Sequence, residues 1–264
     1  MDEILTWLPD SEPTPAADSG EPLLVADSWL VEDGRARGLD WHRLRFTAGC
    51  ADAVGLSEET VAAFWRAMIG KLPRQGELFP RVELTGGRRP RLWMRIRPAP
   101  RRGTDILVLA TLREDPRRHP RRKGPDLARL GALRKEAMGV GADDTLLVDG
   151  SGFVLESGTA SLIWWEGDTL CVPDPAQRVL SGITSRLIRE EAAARGIKIA
   201  HRRATLAELH GLEVWLVNAL HGVRPVKAWV GSPVEPGAAE RAPGWRRWWQ
   251  DAAVALERMP AGSA

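Results

Sequence analysis

Apolar and polar positions along the chain follow two periods, and the change from one to the other marks the elements. A strand-like run over 4–8 is followed by a stretch over 9–22 rich in Pro, Ser and acids, which reads as a loop. Residues 23–25 and 28–31 are again strand-like, and Glu32-Asp33-Gly34-Arg35 has the composition of a turn. From Leu56 the period becomes helical: Ser57 can cap, Glu58 and Glu59 suit a first turn, and Val61, Phe64, Trp65 and Met68 share a face. Strands are predicted over 81–84 and 92–97 around Gly86-Gly87, and over 106–112. Residues 113–122 (REDPRRHPRR) lose all apolar periodicity and read as a solvated linker. Beyond them Pro125 can open a helix with the stripe Leu127, Leu130, Leu133 and Ala137, ended by Gly139 and Gly141. Further strands are predicted over 145–148, 153–155, 161–165, 169–172, 197–200, 213–217 and 226–230. Helices are predicted over 182–195, 205–210 and 243–259, the last with Trp245, Trp248, Trp249, Ala252 and Leu256 on one face. The pattern is that of an α+β protein with domains at 1–112 and 123–264 joined by the linker 113–122.

Composition narrows the function classes. At 264 residues and 44% hydrophobic, the chain can bury a sizeable core. No apolar run approaches the ~18 residues of a membrane span. Met1-Asp2-Glu3-Ile4 is acidic and unlike a signal peptide, so a cytoplasmic protein is expected. Cys50 and Cys171 form no metal-ligand spacing, and no metal is expected. The net charge is only +2, and the basic run over 113–122 contains two prolines and no aromatic residue, which argues against a nucleic-acid surface. Arginine carries most of the positive charge, and the only lysines are Lys71, Lys123, Lys135, Lys198 and Lys227. There is no tyrosine, against twelve tryptophans.

Candidate chemistry comes from four blocks: Lys123-Gly-Pro-Asp-Leu, GADDTLLVDGSGFVLESGTASLIWW over 141–165, LSGITSRLI over 180–188 and NALHGVRPV over 218–226. In order and spacing they resemble the class IV aminotransferases, a family that includes branched-chain and D-amino-acid aminotransferases and 4-amino-4-deoxychorismate lyase. The resemblance extends over residues 23–231. It implies the two-domain fold type IV: a small N-terminal α/β domain and a larger, β-barrel-like C-terminal α/β domain, with pyridoxal 5'-phosphate at the interface. It also implies a homodimer and a small-molecule amine as substrate.

The resemblance assigns roles to individual residues. Lys123 matches the lysine whose amine holds the cofactor as an imine and then moves protons at the substrate carbon. Lys135, the competitor, sits beside Glu136 in a solvent-facing helical position. Glu156 matches the glutamate that keeps the pyridine nitrogen protonated. Ile183 and Thr184, opening a predicted helix, match the phosphate-binding block, where free N–H groups and the helix dipole favour an anion. Arg45 in WHRLRF matches the phosphate arginine of an HxxR arrangement, which leaves His42 a structural part. Asn218 and Ala219 fall where the family lays a loop against phosphate and substrate carboxylate. Ser28, Arg95, Arg97 and His221 are candidate substrate contacts.

The chain departs from the family pattern at LLVADSW (23–29), at Ala160-Ser161 and in having no tyrosine. The Asn-Ala-Leu start at 218 resembles the lyase branch more than the Ser-Gly-Thr start of branched-chain transaminases. A lyase releasing pyruvate and 4-aminobenzoate is therefore expected. The alternatives are an aminotransferase working between an amino acid and a 2-oxo acid, and a non-catalytic family member.

Overall fold

A computed structural model describes residues 2–9, 11–18 and 20–256. The chain folds as two compact units. The first contains the residues up to Arg101, Arg122–Pro125 and the segment from Ala252 on; the second contains Arg102–Arg121 and Asp126–Asp251.

The first unit begins with β1 (Glu3–Trp7), β2 (Thr14–Pro15), β3 (Leu23–Ser28), β4 (Val31–Glu32) and β5 (Arg35–Ala36). Helices α1 (Leu39–Val54) and α2 (Glu58–Gly70) follow, then β6 (Glu77–Leu78), β7 (Arg81–Thr85) and β8 (Arg91–Ile96). An antiparallel sheet in the order β2-β1-β8-β7-β3 carries Leu5, Trp7, Val25, Val82, Leu84, Leu92 and Met94 on the face that packs with the helices. Asp33 and Gly34, both at positive φ, turn β4 into β5, because Asp and Gly accept that backbone most readily. The predicted helix behind Ser57 is α2: the Ser57 side chain accepts from Thr60 N, and Val61, Phe64, Trp65 and Met68 are buried.

Helix α1 occupies a stretch that the sequence pattern leaves unassigned. Its buried stripe is Leu39, His42, Phe46, Thr47 and Cys50, so polar side chains interrupt the apolar signal. Gly38 and Gly55, both left-handed, bound it, and Gly55 N donates to Ala51 O.

The second unit holds β9 (Ile106–Glu114), α3 (Leu127–Gly139), β10 (Asp144–Val148), β11 (Val154–Ser157), β12 (Ser161–Glu166) and β13 (Thr169–Pro173). It continues through α4 (Ile183–Ala194), β14 (Ile199–Arg202), a short 3-10 turn (Ala207–Leu209), β15 (Val214–Asn218), β16 (Gly222–Val230) and α5 (Ala242–Asp251). The sheet order is β11-β10-β9-β16-β15-β12-β13-β14, and β11 also pairs with β12, so six strands close into a barrel. Ile106, Val108, Leu146, Val154, Leu162, Trp164, Leu216 and Val226 belong to the cluster that fills it. A separate cluster lies on the outside, where Ile163, Trp165, Trp215, Val217 and Val223 meet Ile188 and Ala192 of α4 and Trp245 of α5.

Three expectations change. Strand β9, read as the end of the first domain, is a central barrel strand between β10 and β16. The 113–122 stretch is not a plain solvated linker: it begins inside β9, and Arg117 is buried. The last helix stops at Asp251, and the chain passes to β17 (Val254–Ala255), which pairs with β5 in the first unit; Leu256 belongs to that unit's core. Glu257 to Met259 of the expected helix lie outside the described residues.

Candidate active site

In the first unit the site candidates gather around a buried acid. Asp27, fully buried on β3, sits beside an apolar run where a carboxylate needs strong partners. His42 Nδ1 donates to its Oδ1 at 2.7 Å. Arg45 donates through Nε to Oδ2 and through Nη2 to Oδ1, both at 2.8 Å. Ser28 N adds a bond to Oδ1 at 2.8 Å. Burial alone would raise the Asp27 pKa, but the Arg45 and His42 interactions outweigh it and hold the carboxyl far below its ordinary range. Burial pushes His42 the other way: its pKa is lowered, opposed by Asp27 and assisted by the charges of Arg45 and Lys123. The HxxR spacing thus puts one turn of α1 against one carboxylate.

Lys123 is anchored to the same strand. Its carbonyl accepts from Ala26 N at 2.8 Å. Gly124 lets the chain pass this close: its φ is +133°, and a Cβ there would lie 2.7 Å from Ala26 N. Lys135, by contrast, is exposed on α3.

Ser28, Arg81 and Arg95 stand opposite one another across β3, β7 and β8. Arg95 is already engaged, with Nε on Glu83 Oε1 at 2.9 Å and Nη2 on Asp18 Oδ2 at 3.0 Å. Arg97 donates to Phe79 O at 3.0 Å and lies over the Phe79 ring.

In the second unit Glu156 is buried on β11. Its Oε1 accepts from Arg117 Nη1 at 2.6 Å and from Leu180 N at 2.8 Å, whereas Oε2 takes no bond among the described residues. Arg117 is in turn clamped by Asp115, through Nε at 2.8 Å and Nη2 at 3.0 Å. Burial raises the Glu156 pKa, and Arg117 and the Leu180 amide offset this only in part.

Helix α4 starts without a side-chain cap at Gly182. Thr184 Oγ1, at its first turn, is buried and has no partner among the described residues. Gly182 cannot carry a side chain, since a Cβ would meet Ser161 Oγ at 2.2 Å. Ala160-Ser161, a departure in sequence, is therefore fitted closely against this helix start. The β15–β16 hairpin holds Ala219 and is stiffened from within: Asn218 Oδ1 accepts from Leu220 N at 3.1 Å and His221 N at 2.8 Å, and Asn218 Nδ2 donates to Thr159 O at 3.3 Å. His221 Nδ1 accepts from Gly103 N at 3.1 Å, and burial, then the charges of Arg224, Arg134 and Arg102, push its pKa down to about 4.

The expected set therefore divides. Lys123, Arg45 and Ser28 share one end of the first unit's β3 with Asp27, while Arg95 and Arg97 are bound to other partners of that unit. Glu156, Ile183, Thr184, Asn218, Ala219 and His221 all belong to the second unit. The donor set suits pyridoxal phosphate. An uncapped helix start with an orphaned hydroxyl fits a phosphate dianion, and a buried carboxylate with one oxygen to spare fits a protonated pyridine nitrogen.

Sequence reasoning missed Asp27 and Arg117. For Asp27 the signal was available: an acid between Ala26 and Ser28 in a strand, with a His-x-x-Arg helix turn to pair it. For Arg117 there was none, because nothing in REDPRRHPRR distinguishes it from its neighbours. Among the described residues no group of His, Cys, Asp and Glu could hold a metal ion, and no helix is long and apolar enough to cross a membrane.

Known proteins resemble the chain in sequence and fold. A family model described as amino-transferase class IV matches residues 24–229. Over 76 residues the chain is 37% identical to a probable branched-chain-amino-acid aminotransferase of Rickettsia typhi; that match covers 29% of this chain and 26% of the relative, so only about a quarter of the relative's length is spanned. A hypothetical aminotransferase from Mycobacterium tuberculosis in its PLP-bound form superposes with a TM-score of 0.75 at 22% identity, covering 96% of this chain and 98% of that one. The 4-amino-4-deoxychorismate lyase of Pseudomonas aeruginosa superposes at 0.77 and 22% identity, covering 95% and 98%. With the match spanning most of the chain and the fold shared throughout, the protein belongs to the class IV aminotransferases, enzymes that depend on pyridoxal phosphate.

Proposed function

We propose that the enzyme is a 4-amino-4-deoxychorismate lyase, converting that amine to 4-aminobenzoate and pyruvate. The observation that carries this reading is the Asn218–Gly222 hairpin. Its Leu220 and His221 amides are taken by the Asn218 side chain, and Ala219 and Leu220 bring no side-chain donor. With these two amides taken, the loop backbone is poorly equipped to grip the α-carboxylate that every amino acid substrate of a transaminase presents. A substrate whose amine sits on a ring carbon makes no such demand.

In this reading Lys123 is the covalent attachment, Arg45, Ile183, Thr184, Asn218 and Ala219 hold the phosphate end, and Glu156 holds the pyridine nitrogen. When bound, the cofactor supplies an electron sink for the pair left by a departing proton. The Lys123 amine takes the proton from the amine-bearing ring carbon. The ether bond to the enolpyruvyl group then breaks, the ring becomes aromatic, and the released enol gains a proton at its methylene carbon to become pyruvate. Arg117 keeps the Glu156 carboxyl oriented by occupying Oε1. Ser28, Arg95 and His221 remain the candidates for substrate contact; Arg95 would have to give up Asp18 to serve.

The similarity to branched-chain aminotransferases over 76 residues favours a second reading, amino transfer to a 2-oxo acid. Incubation with aminodeoxychorismate decides between them. The lyase yields 4-aminobenzoate and pyruvate in equal amounts, and Lys123→Ala yields neither. Amino transfer from leucine or valine to 2-oxoglutarate, without 4-aminobenzoate, overturns the lyase reading.

A further inference from the structure

We propose that Arg224 is the centre of a buried binding site for a small oxyanion, a carboxylate or phosphate-type group, inside the barrel of the second unit. Arg224 stands on β16 directly opposite Leu216 of β15, and Leu216 belongs to the cluster that fills the barrel, so both side chains face its interior. The next residue inward on that face, Val226, lies in the same cluster. Only 5% of Arg224 is exposed. Yet its side chain makes no hydrogen bond and no ion pair among the described residues, and its Nε is wholly shielded and unpartnered there.

A guanidinium carries five N–H donors and stays charged, so a nearly buried one with a shielded, unpartnered Nε is costly until an acceptor reaches it. The acids nearby do not relieve it. Asp144 Oδ2 is filled by Ser157 Oγ, Thr159 N and Thr159 Oγ1, and its Oδ1 by Thr145 N. Asp143 is exposed, with Oδ2 taken by Leu107 N, and Asp105 is exposed as well. These charges favour the cation from a distance, but burial outweighs them and brings the Arg224 pKa down to about 10. Exposed Arg134 acts against them. What remains unmet around Arg224 is donors, not acceptors.

His221, three residues away on the same hairpin, adds one more. Because its Nδ1 accepts from Gly103 N, the neutral ring carries its proton on Nε2. A planar or tetrahedral oxyanion would satisfy the guanidinium fork and could take this N–H as well. Arg224 is not one of the residues assigned to the phosphate cradle at α4, and its side chain faces the barrel interior. It does not depend on whether the enzyme is a lyase or a transaminase.

Thermal unfolding of the cofactor-loaded protein tests the site, because the bound cofactor already fills the cradle at α4. The protein is titrated with sodium phosphate and with sodium acetate, against sodium chloride at matched ionic strength. One of the two oxyanions should raise the wild-type midpoint by several degrees beyond chloride, and the stronger of them identifies the group accepted. Arg224→Met should melt no lower than wild type in chloride, having lost an unpaired buried cation, and should show no oxyanion response. Arg224→Gln, which keeps a polar head without the charge, should also lose the response. No response in wild type, or an equal one in Arg224→Met, overturns the proposal. So does failure of both variants to fold, which would make Arg224 a structural residue satisfied by water.

Discussion

At the scale of single residues, the strongest interactions lie where the sequence was least explicit. Asp27 holds a helix turn to a strand through His42 and Arg45, and all three are buried or nearly so. Removing one member of such a group leaves the others uncompensated, at a cost of about 3–5 kcal/mol. Asp27→Asn should therefore lower stability by that amount at pH 7 in urea titrations. The Asp27 carboxyl is held below its ordinary 3.8, so its contribution is complete above about pH 4 and is lost as the pH falls toward the lowered folded value. The gap between wild type and variant should narrow below pH 4; an unchanged gap at pH 3 would mean the acid is not an ionised partner. Arg117→Met removes the cation that partly offsets burial at Glu156, so the carboxyl should rise further and pair less well with a pyridine nitrogen. Pyridoxal phosphate affinity, read by absorbance titration, should fall about tenfold or more, since a charged hydrogen bond contributes about 1.5–3 kcal/mol. Lys123, Glu156 and Thr184 could be singled out as candidates because they stand in blocks whose order is itself information. Asp27 and Arg117 acquire their importance only from burial, which no spacing encodes.

At the scale of elements, legibility followed the purity of the apolar stripe. Helix α2 was plain because Val61, Phe64, Trp65 and Met68 are all apolar and Ser57 caps them. Helix α1 was not, because its inward face carries His42 and Thr47, one of which serves Asp27. The same conflict extended the last helix too far: Trp245, Trp249 and Leu256 keep helical spacing, but Leu256 is buried in the core of the first unit while the two tryptophans are buried on α5. The short segment carrying Lys123 has no periodic signal at all, and what places it includes a backbone bond to β3, the Arg122–Asp52 ion pair and Gly124. Gly124→Ala puts a Cβ against the Ala26 amide at a φ that alanine resists. The variant should lose about 1–3 kcal/mol of stability. It should also trap less cofactor on Lys123 after borohydride reduction, measured as the labelled fraction by mass spectrometry. Ser57→Ala is the matched control: it should cost about 1 kcal/mol through the lost cap and leave that fraction unchanged.

At the scale of the whole molecule, the sequence announced two halves but not how the chain divides between them. Strand β9 enters the barrel, and the segment from Ala252 returns to the first unit, because pairing in both cases joins residues far apart in the chain: β9 with β16, and β17 with β5. Such long-range pairing leaves no local trace. The barrel has a further property of this kind. Its seam between β11 and β12 closes through a single registered pair, Glu156 opposite Ser161, whereas β15 and β16 share four such pairs. Both seam residues belong to the candidate site, since Glu156 faces Arg117 and Ser161 abuts the start of α4 at Gly182. A cofactor gripped by Glu156 and by Thr184 would therefore brace the weakest join of the barrel. Ligand at about 100 times its dissociation constant adds about 2.7 kcal/mol to global stability. The local effect should be unequal. In hydrogen–deuterium exchange, stripping pyridoxal phosphate should speed exchange most at residues 156–161 and 180–184, and least in β9 and β16, whose paired neighbours flank them on both sides. Equal acceleration along all six strands would show that the cofactor stabilises the barrel as a whole and that the seam is no weaker than the rest.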